Sequence, residues 1–224
     1  MCGRFALYSS LDDLLREFDV QQSTLASWKP RYNIAPTQSV VVVTQRQGTT
    51  RLEEMRWGLI PFWAKDESVG SRLINARAET VDSKPSFKHS LRGRRCLVLA
   101  NGFFEWQKVN GAKVPHYIRL KSKQPFGMAG LYDVWDHPSG ESVTTCTIVT
   151  TRANALLEPV HGRMPVVLSV SNRGLWLQTD PVDTGRLLTL LEPYSGSEME
   201  LYPVSRLVNS PANDVPEIVQ PLSA

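Results

Sequence analysis

Strand-like runs dominate the middle of the chain, and helical spacing appears only in short pieces. "RFALYSS" sets Phe5 and Leu7 against Ala6 and Tyr8, the two-residue period of a strand. A strand there ties the N-terminus into the fold. In "SLDDLLREF", Leu11, Leu14, Leu15 and Phe18 fall on one helical face, with Ser10 and Asp13 placed as a capping box. "YNIAPTQ" reads as a proline-containing loop. "SVVVVTQ" and "RLEEMRWGL" read as strands joined by the "RQGTT" turn. "WGLIPFWAKDESVGSR" is an ordered loop, "LINARAET" a short strand and "KPSFKHSLRG" a short helix. "RCLVLAN", "FFEWQKV", "PHYIRL", "FGMAGLYDVW" and "SVTTCTIVTT" are strands, with "KVNGAK" supplying a hairpin turn. "ANALLEPVHGRMPVVLS" is a short helix, a loop and a strand. "SNRGLWLQ" and "VDTGRLLTLLEP" are helical, each with the cost of an internal glycine, and "MELYPVS" and "EIVQPL" close the chain.

No strand–helix–strand rhythm and no repeat appear. The pattern predicts one mixed, mostly antiparallel α+β domain over residues 1–224. Composition adds little to that picture, with 42% hydrophobic and 21% charged residues, as in an ordinary globular protein. The 25 basic and 22 acidic side chains leave a net charge of +3. That charge permits a nucleic-acid partner without requiring one. No export signal or membrane-spanning run is present, and three cysteines, an odd number, read as reduced thiols in a cytoplasmic setting. Cys96 and Cys146 lie in strand-like runs and read as buried hydrophobes. The cysteines and histidines show no metal-ligand spacing, so neither a metal nor another cofactor is expected.

Cys2 is different. Removal of Met1 would give it a free α-amine beside its thiol. A model α-amine has a pKa of ~7.7–8.0, against ~10.4 for lysine, so it is a much better neutral-pH nucleophile for an aldehyde. The resulting Schiff base can be attacked by the adjacent thiol, closing a five-membered thiazolidine with the advantage of an intramolecular step. On a strand, Asn75, Arg77 and Glu79 of "INARAET" share one face: an ordinary solvated face, or a polar floor where Arg77 binds an anion and Asn75 orients a reacting group. In "NGFFEWQK", Glu105 is either a surface carboxylate or one desolvated by Phe103, Phe104 and Trp106 and suited to proton transfer. His161 of "HGRMP" is a candidate acid/base, with Arg163 two residues on as a phosphate contact. "WGLIPFW" and "IAPTQ" suit stacking against unpaired bases. Trp57 is expected in the core, and Trp63 at the surface.

The ordered set "MCGRF", "RYNIAPTQ", "MRWGLIPFWAK", "INARAET", "NGFFEWQK", "HGRMPVVLS" and "YPVSRLVN", spanning residue 1 to about residue 209, resembles the SOS-response-associated peptidase family. The resemblance implies a single α+β domain with curved, barrel-like sheets and short surrounding helices. It implies covalent capture of abasic sites in single-stranded DNA by the N-terminal cysteine. Carried over, Cys2 is the nucleophile, Asn75 positions it, and Glu105 and His161 are the acid/base pair. Arg4, Arg77 and Arg163 meet phosphates, and Pro36 and Trp63 pack on the DNA. Self-removal of the residue before the cysteine, and lyase activity, are implied too. The expected setting is the cytoplasm, on the nucleoid in a bacterium, as a monomer away from membranes.

Three rivals remain. An N-terminal-nucleophile glutamine amidotransferase also begins Met-Cys-Gly and uses an Asn-Gly oxyanion hole, superficially matched by Asn101-Gly102. A non-covalent reader of modified bases needs no free amine. A conventional cysteine protease would pair Cys2 with His161.

Overall fold

A computed structural model describes residues 2–137, 140–179 and 182–222. The described residues form fourteen strands: β1 (Phe5–Leu7), β2 (Gln22–Ser23), β3 (Arg31–Ile34), β4 (Ser39–Arg46), β5 (Thr49–Trp57), β6 (Asn75–Arg77), β7 (Arg95–Ala100), β8 (Gly102–Val109), β9 (Ala112–Leu120), β10 (Phe126–Asp136), β11 (Ser142–Arg152), β12 (Arg163–Pro165), β13 (Val167–Leu168) and β14 (Met199–Pro203). Four short α-helices join them among the described residues: α1 (Leu11–Glu17), α2 (Pro85–Gly93), α3 (Val170–Leu177) and α4 (Thr184–Leu188).

Strands β11, β10, β7, β4 and β5 are successive antiparallel neighbours. The ring then closes, because β5 pairs in parallel with β11 at Thr145–Arg56 and Cys146–Trp57. Closure removes the sheet's edges and makes a five-stranded mixed barrel. β6 adds to β11 in parallel, at Asn75–Ile148 through Arg77–Thr150, and β12 joins it antiparallel. A second sheet, ordered β14-β9-β8-β1-β3, is antiparallel throughout. Its strand β1 hydrogen-bonds at both sides, which ties the N-terminal segment into the sheet as its alternation predicted.

The second sheet is covered on both faces. Phe5 and Phe103 enter the main core with Val42, Val98, Met128 and Ile148 of the barrel, and with Leu14, Leu91 and Trp176 of the helices. Their neighbours Ala6, Phe104 and Tyr117 point the other way, into a smaller cluster closed by Val204, Val208, Ile218 and Val219 near the C-terminus. Burying each such phenylalanine is worth about 1.5–3 kcal/mol. Sheet contact is close enough to require glycine at one point: a Cβ on Gly102 would lie 2.3 Å from the Tyr117 ring and 2.6 Å from the Ile118 carbonyl.

The "SLDDLLREF" helix forms with the predicted cap, Ser10 Oγ accepting from the Asp13 N–H at 3.2 Å. The "VNGA" hairpin turn has Asn110 at φ 49° and Gly111 at φ 83°, as a two-residue primed turn requires.

Three local expectations are corrected. Arg31–Ile34 is a strand, not a loop, because a distant carboxylate supports it: Asp214 Oδ1 accepts the N–H groups of Tyr32 at 2.5 Å and Asn33 at 2.9 Å. The helix expected after Arg152 is a series of turns. There the Asn154 side chain takes the Leu157 N–H at 3.0 Å, and Pro159 has no N–H to continue a helix. Finally, β6 ends at Arg77, and Ala78–Thr80 is a 3₁₀ turn. Glu79 therefore does not share a strand face with Asn75 and Arg77.

Candidate active site

The four candidate catalytic residues converge where the second sheet meets the barrel. Cys2 lies just before β1, whose course is fixed by the Phe104 N–H donating to the Arg4 carbonyl at 2.9 Å. Pairing of β6 with β11 presents Asn75, and its Nδ2 donates to the Cys2 carbonyl at 2.8 Å. Asn75 Oδ1 is buried with no hydrogen-bond partner. Glu105 comes from β8, with only 3% of its surface exposed. His161 Nδ1 stands 3.8 Å from Glu105 Oε1 and accepts the Arg163 N–H at 3.1 Å. When Nδ1 accepts that bond, the ring proton sits on Nε2. Glu105 and His161 open onto a cleft of about 520 Å³, lined also by Trp106, Lys108, Lys113 and Asn209.

Burial sets the electrostatics. The Glu105 carboxyl is pushed above the usual carboxylate range by desolvation, with His161 pulling in the opposite direction. Burial raises the Cys2 thiol strongly, and the Glu105 carboxylate adds to the effect. Cys2 is thus as buried as Cys96 and Cys146, and its sulfur is a neutral thiol at neutral pH. Such a group suits addition to an already formed imine better than thiolate attack on a peptide. That weighs against the conventional cysteine protease. The amidotransferase rival fares worse: Asn101 Oδ1 accepts the Tyr8 and Ser9 N–H groups at 2.7 and 2.9 Å, and its Nδ2 donates to Ser9 Oγ at 2.8 Å. Asn101 holds the β1–α1 turn, with its Oδ1 and one of its two Nδ2 hydrogens engaged there rather than turned to Cys2 chemistry.

The three candidate arginines differ in their engagement. Arg4 Nη1 reaches inward to Asn33 Oδ1 at 2.7 Å and the Val208 carbonyl at 2.6 Å, and burial lowers its pKa. Arg163 Nη1 pairs with Glu79 Oε1 at 2.6 Å, while its Nη2 donates to the Thr150 carbonyl at 2.5 Å. Arg77 is exposed. Pro36 and Trp63 sit on two other loops. Pro36 is half-buried beside Thr37, a β-branched residue held at φ 71°, a strained conformation. Trp63 is 51% exposed, its neighbour Phe62 52%, and Trp57 is fully buried, as expected. Their loop is pinned by the Ile60 N–H to Thr145 Oγ1 at 2.8 Å, the Phe62 N–H to the buried Asp133 at 2.9 Å, and Trp135 Nε1 to the Ala64 carbonyl at 2.8 Å.

Sequence reasoning missed several residues that shape the site. His116 lies directly across from Glu105 on β9 and is buried. Its signal was its position opposite Glu105 once "NG" is taken as a two-residue turn. Lys108 and Lys113 follow from the same register. Asn33 and Asp214, which anchor Arg4 and β3, carried no local signal.

The SOS response associated peptidase (SRAP) family model matches residues 1–211. The chain belongs to the SRAP family. Within it, the chain is 45% identical to the abasic site processing protein YoqW of Bacillus subtilis, covering 98% of this chain and 99% of that one. It is 34% identical to the abasic site processing protein HMCES of Gallus gallus, over 87% of this chain and 67% of that protein. A crystal structure of a protein from Bacteroides thetaiotaomicron superposes with a TM-score of 0.90 at 28% identity, covering 99% of this chain and 100% of that one. The α+β fold with a curved, barrel-like sheet is thus the SRAP architecture. Among the described residues, no helix is long and apolar enough to cross a membrane, and no group of three or more His, Cys, Asp and Glu is placed to hold a metal ion.

Proposed function

We propose that this SRAP protein processes abasic sites in single-stranded DNA by covalent capture on Cys2. The observation that carries the reading is the Asn75–Cys2 contact together with the buried Glu105 and its half-buried partner His161. Asn75 Nδ2 holds the Cys2 carbonyl, and its unpartnered Oδ1 is an acceptor suited to the Cys2 amine once the preceding peptide bond is hydrolysed. Met1 itself lies outside the described residues. Its removal, by this chain's own peptidase activity or by an aminopeptidase, is part of the proposal.

The chemistry then balances without a redox partner. Glu105, whose hold on a proton is strengthened by burial, donates one to the sugar ring oxygen while the C1′ hydroxyl gives one up to His161, which opens the hemiacetal to an aldehyde. The Cys2 amine adds to C1′, and loss of water, with His161 moving protons, gives the imine. The Cys2 Sγ–H adds across that C=N bond, sulfur to carbon and proton to nitrogen, to leave a thiazolidine. Strand cleavage by elimination needs the iminium, so ring closure competes with lyase chemistry. Arg77 faces outward to meet phosphate, and Arg4 and Arg163 add positive charge beneath the site. Pro36 and the pinned, exposed Trp63 offer surfaces for unpaired bases. Free thiols at Cys2, Cys96 and Cys146 support a reducing, cytoplasmic setting, with the monomer as the working unit.

The test is a denaturing gel with single-stranded DNA carrying one abasic site. Wild type gives a heat-stable shifted band. Cys2→Ala, and a version with uncleavable residues ahead of Cys2, give none. A band that persists in Cys2→Ala would point to a lysine Schiff base and overturn the thiazolidine. A non-covalent base reader would bind equally well with Cys2→Ala and give no such band with either protein.

A further inference from the structure

The cleft has a feature that the proposed chemistry does not use. Lys108 on β8 and Lys113 on β9 are directly opposite each other across the hairpin, both exposed, and both line the cleft that Glu105 and His161 enter. Like charges in directly opposed positions destabilise a strand pair. Apart from the buried Glu105, the chain offers no nearby carboxylate in sequence to relieve them, since it carries no Asp or Glu from Trp106 to Tyr132.

The hairpin is also rigid. Its turn is the two-residue Asn110–Gly111 type, with both residues at positive φ. Gln107 Nε2 donates to the Pro159 carbonyl at 3.1 Å, bracing it against the loop that carries His161. Trp106 Nε1 donates to Asn209 Oδ1 at 2.8 Å, bracing its other side. The braced hairpin thus brings two lysines together in the lining of the cleft, where an anion would relieve their repulsion.

The geometry points to Lys108 and Lys113 as a phosphate clamp that holds the DNA backbone on the hairpin side of the reacting sugar. This rests on the proposed DNA substrate and adds to it a binding site separate from the arginines. As point charges on flexible stems, the lysines recognise backbone phosphate of any sequence.

Single-stranded DNA carrying a tetrahydrofuran abasic analogue has no aldehyde, so it reports binding alone. Affinity would be measured by fluorescence anisotropy across a salt series. Removing two phosphate contacts lowers the slope of log K against log salt by about 1.4, at about 0.7 per contact for a single strand. Lys108→Gln/Lys113→Gln should show that drop. Lys121→Gln/Lys123→Gln, which removes the same charge at exposed positions beyond the other end of β9, should not. Free 2-deoxyribose has the aldehyde and no phosphate, and its adduct with the protein, followed by mass spectrometry, should form at the wild-type rate in Lys108→Gln/Lys113→Gln. An unchanged salt slope in that variant overturns the clamp. So does an equal drop in the control pair, or loss of the deoxyribose adduct. Failure of wild type itself to form that adduct would instead count against the proposed covalent function.

Discussion

Glu105 and Glu79 face His161 and Arg163, two residues apart where the "HGR" loop enters β12, yet they behave oppositely. Glu105 faces His161 at 3.8 Å, and Glu79 pairs with Arg163 at 2.6 Å. The Glu105 side chain is 4% exposed and the Glu79 side chain 51%. Burial pushes Glu105 up, whereas the Arg163 hydrogen bond holds Glu79 below the usual carboxylate range. One loop therefore addresses a proton-transfer base to one carboxylate and a fixed cation to the other. Burial strengthens the hold of one carboxylate on its proton, and a guanidinium weakens that of the other. The pair teaches that a carboxylate's role here follows from the face of its element, not from its charged neighbours alone.

The largest expected effect comes from removing the acid. Glu105→Gln keeps the shape and loses the transferable proton, and general acid catalysis contributes roughly 10²–10⁴-fold. We expect cross-linking to abasic DNA to slow by about 10²-fold at neutral pH, measured by quenched-flow gels. The wild-type rate should fall as pH rises through the raised Glu105 pKa, and the variant's profile should lose that limb. Equal rates would remove Glu105 from the acid role and leave its burial without a catalytic meaning.

The same substitution should act on stability with the opposite sign. A carboxyl with a folded pKa above its unfolded value binds more protons when folded. Stability then falls as pH rises from the ordinary carboxylate range through the raised value. Glu105→Gln has no such loss. Its melting temperature should therefore gain on wild type as pH rises toward neutrality, with each kcal/mol reading as roughly 2–4 °C at this chain length. Parallel melting curves at every pH would mean that Glu105 is not destabilised by its burial. A site that loses speed and gains stability on substitution is one where the fold tolerates strain for chemistry.

This contrast was half legible in the sequence. Alternation in "FFEWQKV" put Glu105 on the face of Phe103, and that face proved to be the one turned to the main core. The same reasoning extended "INARAET" as a strand through Glu79, and there it failed. The chain turns after Arg77, where pairing with β11 ends, and a partner 84 residues away in sequence holds Glu79. Barrel closure was illegible for the same reason: a two-residue parallel contact between β5 and β11 leaves no periodic mark. Arg4 and Arg163 were visible as charges, but not their inward hydrogen bonds, which depend on Asn33, Val208 and Thr150 arriving from remote segments. Local rules saw what a residue's neighbours impose, such as the Ser10 cap and the Asn110–Gly111 turn.

The smallest expected effect belongs to Glu79. Its ion pair with Arg163 is half open to water, so screening and side-chain entropy hold its worth to about 0.5 kcal/mol or less. Glu79→Gln should leave the cross-linking rate within about twofold, since Arg163 keeps its bonds to Thr150 and the acid is elsewhere. A carboxylate with a lowered folded pKa gives stability that is complete above the unfolded value and lost as pH falls through the folded one. The small destabilisation in Glu79→Gln should therefore be present at neutral pH and vanish in acid, the reverse of the Glu105→Gln trend. Thermal melts from acid to neutral pH, run on both variants beside wild type, test that reversal directly. Should both variants drift in the same direction, burial would not be what separates the two carboxylates. The charge of the shared loop would then set both.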